Sequence, residues 1–243
     1  MRMRLVVLAG LLLAVASPPS PAAAGAARQA PLMILALGNT SFLNPTDIQA
    51  ATGAVVKQDL ETFELKDFAV VVLANVAFAA LPGPVQQGMV QYVNDGGAVL
   101  ITGGAQSFGS GGYQAVASIL PFQIRSTNDW RSERFMPVVP SQPGHPVLAG
   151  VSFISVGNLN DLNPRPGAVE ILQTIAGGGI GLPGAKVGVA NAHSLIAEVS
   201  AGSGRVLGIA FDLNDFAGMR DRDLFVRNTI TYLVRASRMG PAR

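Results

Sequence analysis

The chain has no cysteine, and only 13% of its 243 residues are charged. Without cysteine it can form neither a disulfide bond nor a lipid-modified thiol, and it has no thiolate nucleophile. It has only two histidines, and they are far apart in the sequence. A zinc site would therefore have to recruit carboxylates as well. The sequence predicts no metal site and no disulfide framework.

The charge balance of the chain depends on its N-terminus. The full sequence has 17 Lys and Arg against 15 Asp and Glu, with a pI near 9.3. Arg2 and Arg4 account for the excess, because without them the two signs are equal in number. Binding to nucleic acid needs a basic surface. A nucleic-acid partner is therefore not predicted.

The first residues have the pattern of an export signal. Arg2 and Arg4 precede an apolar run from Leu5 to Ala16, which is followed by prolines and then by small residues up to Ala27. A basic start, a short apolar segment and an Ala-x-Ala exit are typical of a secretory signal peptide. A membrane span needs about 20 apolar residues. An uncleaved anchor is kept as the alternative.

These features predict the domain organisation. Residues 1–24 are expected to be a signal peptide, 25–30 a linker, 31–238 one domain and 239–243 a tail. No stable membrane span is expected after cleavage. The predicted location is the bacterial periplasm or the outside of the cell, where disulfides are permitted but not required.

The mature chain has the pattern of an α/β domain. Hydrophobic residues make up 49% of the sequence, and unbroken apolar runs favour strands buried on both faces of a parallel sheet. The predicted strands are residues 32–36, 54–57, 68–74, 98–101 and 205–211. The predicted helices are residues 44–52, 85–93 and 224–238, with Asn44 as a cap and Pro45 in the first turn.

The middle of the chain has a different pattern. Residues 121–146 are rich in proline, arginine and polar residues. Short apolar runs separated by glycine and proline turns predict strands at residues 138–139, 151–155, 169–172, 186–189 and 195–199. We expect them to form an antiparallel extension beside the main sheet.

A glycine-rich loop follows the strand that ends near Ile101. The segment Val99–Tyr113 contains no cysteine, histidine, lysine or carboxylate. Its glycines could form a phosphate cradle, or they could serve tight turns that Phe108 and Tyr113 pack down. The P-loop lysine is missing and the Rossmann spacing is a weak match, so no cofactor is predicted. A small-ligand pocket at this edge of the sheet is kept as an alternative interpretation.

Longer segments carry a resemblance to a known family. They are Tyr92–Tyr113 with Ile119–Pro121, then His145–Val151 and Gly204–Asn214. Together they resemble the class I glutamine amidotransferase-like superfamily, and in particular a glutamine amidotransferase-like domain of uncharacterised bacterial proteins. The resemblance covers about residues 31–236. It implies a flavodoxin-like three-layer α/β sandwich with a mostly parallel sheet.

The same resemblance identifies what this chain has lost. The family uses a cysteine on the turn after a central strand, and a histidine and a glutamate after a later strand. Here the first turn runs from Thr102 to Ala105. Asp212 stands at the histidine position, and Asn214 lies roughly at the glutamate position. No catalytic residue is assigned, and glutamine hydrolysis by this mechanism is not expected.

Two functions remain open. The first is an exported, non-catalytic domain that binds an unknown protein or small-molecule ligand. The alternative is a hydrolase whose rebuilt site uses Ser107 or Asp212, although Ser107 lies outside any Gly-x-Ser-x-Gly motif. A hydrolase would need a histidine or a second carboxylate within hydrogen-bond reach. The oligomeric state is left open. The candidate pocket residues are Thr102, Gly103, Gly104, Ala105, Gln106, Ser107, Asp212 and Asn214.

Overall fold

A computed structural model describes residues 31–152, 156–175, 192–214 and 220–238. The predicted signal peptide and linker, the expected strand at 186–189 and the C-terminal tail lie outside these residues. No helix within the described ranges has both the length and the apolar character needed to cross a membrane.

The described residues form twelve strands and three α-helices. The strands are β1 (Met33–Gly38), β2 (Val55–Lys57), β3 (Val70–Ala74), β4 (Ala98–Thr102), β5 (Phe122–Ile124), β6 (Trp130–Met136), β7 (Val138–Pro140), β8 (Val156–Asn160), β9 (Leu162–Pro164), β10 (Val169–Thr174), β11 (Ser194–Ala201) and β12 (Gly204–Ile209). The helices are α1 (Pro45–Thr52), α2 (Gly83–Asn94) and α3 (Arg222–Ala236).

Eight of these strands form one mixed sheet in the order β2-β1-β3-β4-β12-β11-β10-β7. The strands from β2 to β12 pair in parallel. Beyond β12, the strands β11, β10 and β7 pair antiparallel. The predicted α/β fold of flavodoxin-like type, with a mostly parallel sheet and an antiparallel extension, is confirmed.

Helices cover both faces of the parallel part of the sheet. On one face, Val71 and Val99 pack in the same apolar cluster as Val85 and Met89 of α2. On the other face, alternate residues of the same strands join a second cluster with Ile48 of α1 and residues of α3. The strands β3 and β4 are buried along their whole length. Burial on both faces requires apolar side chains at every position, and this is why their unbroken apolar runs predicted strands.

The ends of α1 follow from three residues. The side chain of Asn44 accepts hydrogen bonds from the backbone of Thr46 at 3.1 Å and Asp47 at 3.3 Å. Pro45 occupies the first turn, where it removes no helical hydrogen bond. Gly53 ends the helix with φ 74°. The predicted cap is confirmed.

The middle of the chain differs from the prediction. Val151 and Ser152 lie outside any strand, and the next strand, β8, begins at Val156. Four strands were not predicted: β5 pairs with β9, and β6 pairs with β8, in two small antiparallel sheets. The strand β9 contains Asn163 and Pro164, so pairing with β5 forms it against the local preference of its residues.

A polar cluster joins the antiparallel extension to α3. Glu198 accepts hydrogen bonds from Arg205 at 2.9 Å and from the Tyr232 hydroxyl at 2.7 Å. His145 Nε2 lies 3.6 Å from the same carboxylate, while its Nδ1 accepts from the backbone of Val147 at 3.4 Å. Burial alone would raise the pKa of Glu198, but the hydrogen bonds of His145 and Tyr232 and the charge of Arg205 lower it to about 2.

This cluster predicts an acid-sensitive part of the stability. The Glu198 pKa falls from an ordinary 4.5 to about 2 on folding. Its contribution is therefore present above pH 4.5 and is lost as the pH falls towards 2. We expect Glu198→Gln to be less stable than the parent at neutral pH, with the difference in unfolding free energy narrowing as the pH falls from 4.5 towards 2. Urea unfolding across this pH range measures it. Asp59→Asn provides a control, because it removes one exposed carboxylate outside this cluster.

Candidate functional site

The candidate residues lie where the parallel strands end. In register, Gly38 of β1 pairs with Ala74 of β3, and Ala74 pairs with Thr102 of β4. Ile209 of β12 also pairs with Thr102. The segments that follow these strands therefore meet at one edge, the usual place of a site in an open α/β sheet. We call this the C-terminal edge.

Asn75 connects the two halves of the candidate site. It follows β3 directly and adopts φ 43°. Its side-chain NH2 donates to Asp212 Oδ2 at 2.9 Å, and its side-chain oxygen accepts from the backbone N–H of Gln106 at 3.0 Å. One amide thus joins the loop after β4 to the segment after β12. The structure brings two of the candidate pocket residues, Gln106 and Asp212, to the same amide.

Asp212 is buried and has further partners on its other oxygen. Asp212 Oδ1 accepts from the backbone of Asn214 at 2.8 Å and from its side chain at 3.1 Å. Asn214 in turn donates to the carbonyl of Asn39 at 2.7 Å and accepts from the Ser41 hydroxyl at 2.7 Å. Asp212 and Asn214, which the sequence resemblance aligned with a histidine and a glutamate, are thus a carboxylate and an amide hydrogen-bonded to each other and to neighbouring amides.

The two glycines after β4 allow close backbone contact. A Cβ on Gly103 would lie 2.5 Å from the carbonyl carbon of Ala210, and a Cβ on Gly104 would lie 2.2 Å from the side chain of Asn75. Thr102 is fully buried, whereas Ala105 is exposed. Of the stretch 102–105 that could hold a nucleophile, only position 105 has both room for a side chain and access to solvent.

Ser107 has a structural role in this turn. It is fully buried, and its hydroxyl donates to the carbonyl of Thr102 at 2.6 Å. Both histidines of the chain have other partners: His145 contacts Glu198, and His193 Nδ1 lies 3.2 Å from Asp161. Among the described residues, neither histidine hydrogen-bonds to Ser107 or Asp212. Within the described ranges, no histidine is therefore placed to act as a base for either residue.

A buried carboxylate holds the far end of the glycine-rich loop. Asp129 is fully buried and accepts from the backbone of Gly109 and of Ser110, each at 2.9 Å. It also accepts from the Ser110 hydroxyl at 2.8 Å and from Asn160 Nδ2 at 3.1 Å. Asn160 Oδ1 accepts from the backbone N–H of Gly104 at 3.0 Å. Asp129 and Asn160 therefore clamp both ends of the loop.

The loop amides are largely committed to these internal partners. Asn75 binds the amide of Gln106, and Asp129 binds those of Gly109 and Ser110. The amides of Gly111 and Gly112 bond to carbonyls within the loop itself. A phosphate cradle would need several of these N–H groups to point at one ligand. The geometry instead favours the interpretation of the glycines as turn residues.

Aromatic side chains anchor this loop in the apolar core. Phe108 and Tyr113 are fully buried. The Phe108 ring meets that of Phe122 edge-on at 5.4 Å between centroids, and the Tyr113 ring meets that of Phe78 at 5.6 Å. The Tyr113 hydroxyl donates to the carbonyl of Val76 at 2.9 Å, and burial raises its pKa above the ordinary value. The expected packing role of Phe108 and Tyr113 is confirmed.

Sequence reasoning missed several residues of the site. Asn39 and Asn75 could have been found, because each is the polar residue that follows a buried strand of the parallel sheet. Asp129 and Asn160 had no such signal, since they come from the segments around β6 and β8, which were not predicted. Within the described ranges, no group of three His, Asp or Glu side chains is arranged to hold a metal ion.

No protein-family model matches the sequence, and no curated protein is detectably similar to it. Solved structures do share its fold. A cytoplasmic protein from Salmonella typhimurium LT2 has a TM-score of 0.61 at 14% identity, covering 83% of this chain and 99% of that one. A second cytoplasmic protein from Salmonella typhimurium has a TM-score of 0.58 at 15% identity, covering 83% and 98%.

A ThuA-like protein from Bacteroides uniformis is also similar. Its TM-score is 0.58 at 13% identity, and the match covers 92% of this chain and 98% of that one. At such low identity these likenesses establish the shared α/β fold and nothing finer. Each match spans nearly the whole length of the other protein.

Proposed function

We propose that this chain is an exported member of the class I glutamine amidotransferase-like superfamily that has lost catalysis and acts as a binding module. The proposed binding surface is the C-terminal edge. The ligand is a small polar molecule or a segment of a partner protein.

One observation carries the proposal: the positions of the family's catalytic groups form a closed hydrogen-bonded network. Asp212 accepts from Asn75 and from Asn214, and Asn75 also holds the loop at Gln106. A general base must lie within hydrogen-bond reach of the proton that it takes. Both oxygens of Asp212 are instead occupied by N–H groups of Asn75 and Asn214. The network therefore supports a rigid surface rather than a proton-transfer site.

The exposed groups of this surface indicate the chemistry of a ligand. Asn39, Ser41 and Gln106 are exposed, and Asn75 and Asn214 are half-buried. Amides and hydroxyls donate and accept without charge. They suit an uncharged ligand with several hydroxyl or amide groups, such as a sugar or a polar peptide segment. Because internal hydrogen bonds hold most of these side chains, little ordering entropy would be lost on binding.

Export is proposed on the sequence alone. Residues 1–24 have the charged start, short apolar segment and small-residue exit of a signal peptide. Two of the similar structures are called cytoplasmic in their own names, which describes those proteins. N-terminal sequencing of the mature protein recovered from a bacterial periplasm would test the proposal. A start near residue 25 would support it, and an intact Met1 in the cytoplasm would contradict it.

The absence of cysteine makes the binding surface directly testable. We expect a panel of neutral sugars and glycyl peptides, screened by ligand-observed NMR, to yield a binder. In Ala105→Cys, a bulky maleimide attached at this exposed edge position should abolish that binding. The same label on Gln49→Cys, an exposed site on α1, should leave it unchanged. A binder insensitive to the label at position 105 would contradict the proposed surface.

The catalytic alternative needs a separate measurement. We expect no ammonia release from glutamine and no hydrolysis of model esters or amides above the buffer rate. Turnover that Ser107→Ala or Asp212→Ala abolishes would overturn the non-catalytic proposal. Since Ser107 supports the loop, circular dichroism must first show that each variant is folded.

A further inference from the structure

A polar groove lies apart from the C-terminal edge. It has a volume of about 740 Å³, and it lies between the turn that follows the glycine-rich loop, the strand β5 and the residues after β9. Its polar lining comes from Gln114, Ser118, Gln123, Arg125 and Arg165. None of its lining residues belongs to the network around Asp212. We call it the arginine groove. Its volume is in the range of small-molecule sites.

Arg165 is held in place by the backbone of the neighbouring turn. Its Nη1 donates to the carbonyls of Ala117, Ser118 and Leu120. Within the part of the chain that the structure describes, its Nε and Nη2 have no protein acceptor. One nitrogen therefore anchors the guanidinium, while the other two keep their donor capacity. An anchored guanidinium has lost much of its side-chain entropy before a ligand arrives.

Arg125 supplies a second positive charge. Its guanidinium is half-exposed, and its nearest acidic partner is Asp161, at 3.4 Å. That carboxylate also contacts His193 at 3.2 Å, so Arg125 shares it with the imidazole. No Asp or Glu is found among the described residues that line the groove. The groove therefore combines two guanidinium groups with neutral amides and a hydroxyl.

We propose that the arginine groove binds a small organic anion through an oxyanion group, either a carboxylate or a phosphate ester. A guanidinium presents paired N–H donors that match both groups. Gln114, Gln123 and Ser118 would bind hydroxyl or carbonyl groups of the ligand. Ile124 and Pro166 also line the groove and provide apolar surface for its carbon part. This site is independent of the function proposed for the C-terminal edge.

Asp161 and Arg125 give the proposal two opposite expected effects. Asp161 lies outside the lining and competes with a bound anion for Arg125. Removing its charge in Asp161→Asn should free that guanidinium and strengthen binding several-fold. Removing the guanidinium in Arg125→Gln should weaken binding by about tenfold, the loss of one charge-assisted hydrogen bond. Arg125 is half-exposed, so the fold should tolerate its loss.

Calorimetric titration of the mature chain at low ionic strength tests this. The probes are succinate, inorganic phosphate and glucose 6-phosphate, with succinamide and glucose as uncharged controls. We expect at least one anion to bind, and the preferred probe identifies the oxyanion. Arg222→Gln, at the half-exposed start of α3, is the matched control and should bind as the parent does. Failure of all three anions, an equal response to sodium chloride, or unchanged binding by Arg125→Gln would overturn the proposal.

Discussion

Asp129→Ala is expected to lower the free energy of unfolding by about 3–5 kcal/mol, because it removes a fully buried carboxylate with several donors. The amides of Gly109 and Ser110, the Ser110 hydroxyl and Asn160 Nδ2 all donate to it. Each would lose this acceptor, and the Gly109 amide and the Asn160 side chain are buried away from water. Urea unfolding followed by circular dichroism measures the loss.

Two further variants separate the carboxylate from the position it occupies. Asp129→Asn keeps the size but replaces one acceptor oxygen with a donor, so it should fall between Ala and the parent. Asp59 is exposed, and Asp59→Ala should change stability by less than about 0.5 kcal/mol. An Asp129→Ala variant as stable as Asp59→Ala would show that the loop does not depend on this carboxylate.

Asp129 also explains why the glycine-rich loop has no need of an external anion. A turn rich in glycine presents backbone N–H groups that favour negative charge. In this chain the negative charge is built in, because Asp129 accepts from two adjacent loop amides. The loop therefore satisfies its donors without a phosphate. Its glycines are needed because neighbouring backbone segments pack closely against them. The candidate binding groups lie at the C-terminal edge, at Gln106 and Asn214.

The sequence predicted the parallel half of the fold well. The strands β3 and β4 are buried on both faces, so their apolar runs differ sharply from their surroundings. The helix α1 carries its own start and end signals in Asn44 and Gly53. The small sheets of β5 with β9 and β6 with β8 were missed, because pairing partners distant in sequence form them. Strand preference depends on such tertiary context more than helix preference does.

The sequence predicted only those parts of the candidate site that follow from local patterns. Thr102–Ser107 and Asp212 follow strands whose apolar pattern is local, so their meeting at one edge follows from a parallel sheet. The link between them is Asn75, which sequence analysis did not single out. The clamp residues Asp129 and Asn160 could not be found, because they lie in segments whose positions depend on nonlocal pairing. Networks of this kind are visible only once the fold is known.

Gly103→Ala is expected to destabilise the protein by about 3 kcal/mol or more, through steric contact alone. A Cβ at this position would lie 2.5 Å from the carbonyl carbon of Ala210 and 2.6 Å from the amide nitrogen of Phe211. Both obstacles are backbone atoms of the segment that leads from β12 to Asp212. The Gly103 amide also donates to the carbonyl of Phe211 at 3.1 Å. A methyl group must therefore push apart the two segments that form the C-terminal edge.

Two other glycines make the contact argument testable. Gly112 has φ +78° but open space around its Cβ position, so Gly112→Ala should cost only about 1 kcal/mol of backbone strain. Gly144 has neither constraint, and Gly144→Ala should be neutral or slightly stabilising. Urea unfolding of the three variants should rank them in that order. Equal stability of Gly103→Ala and Gly144→Ala would contradict the close approach. A confirmed ranking would mean that no residue with a side chain, cysteine included, fits at position 103 without moving the backbone of Ala210 and Phe211.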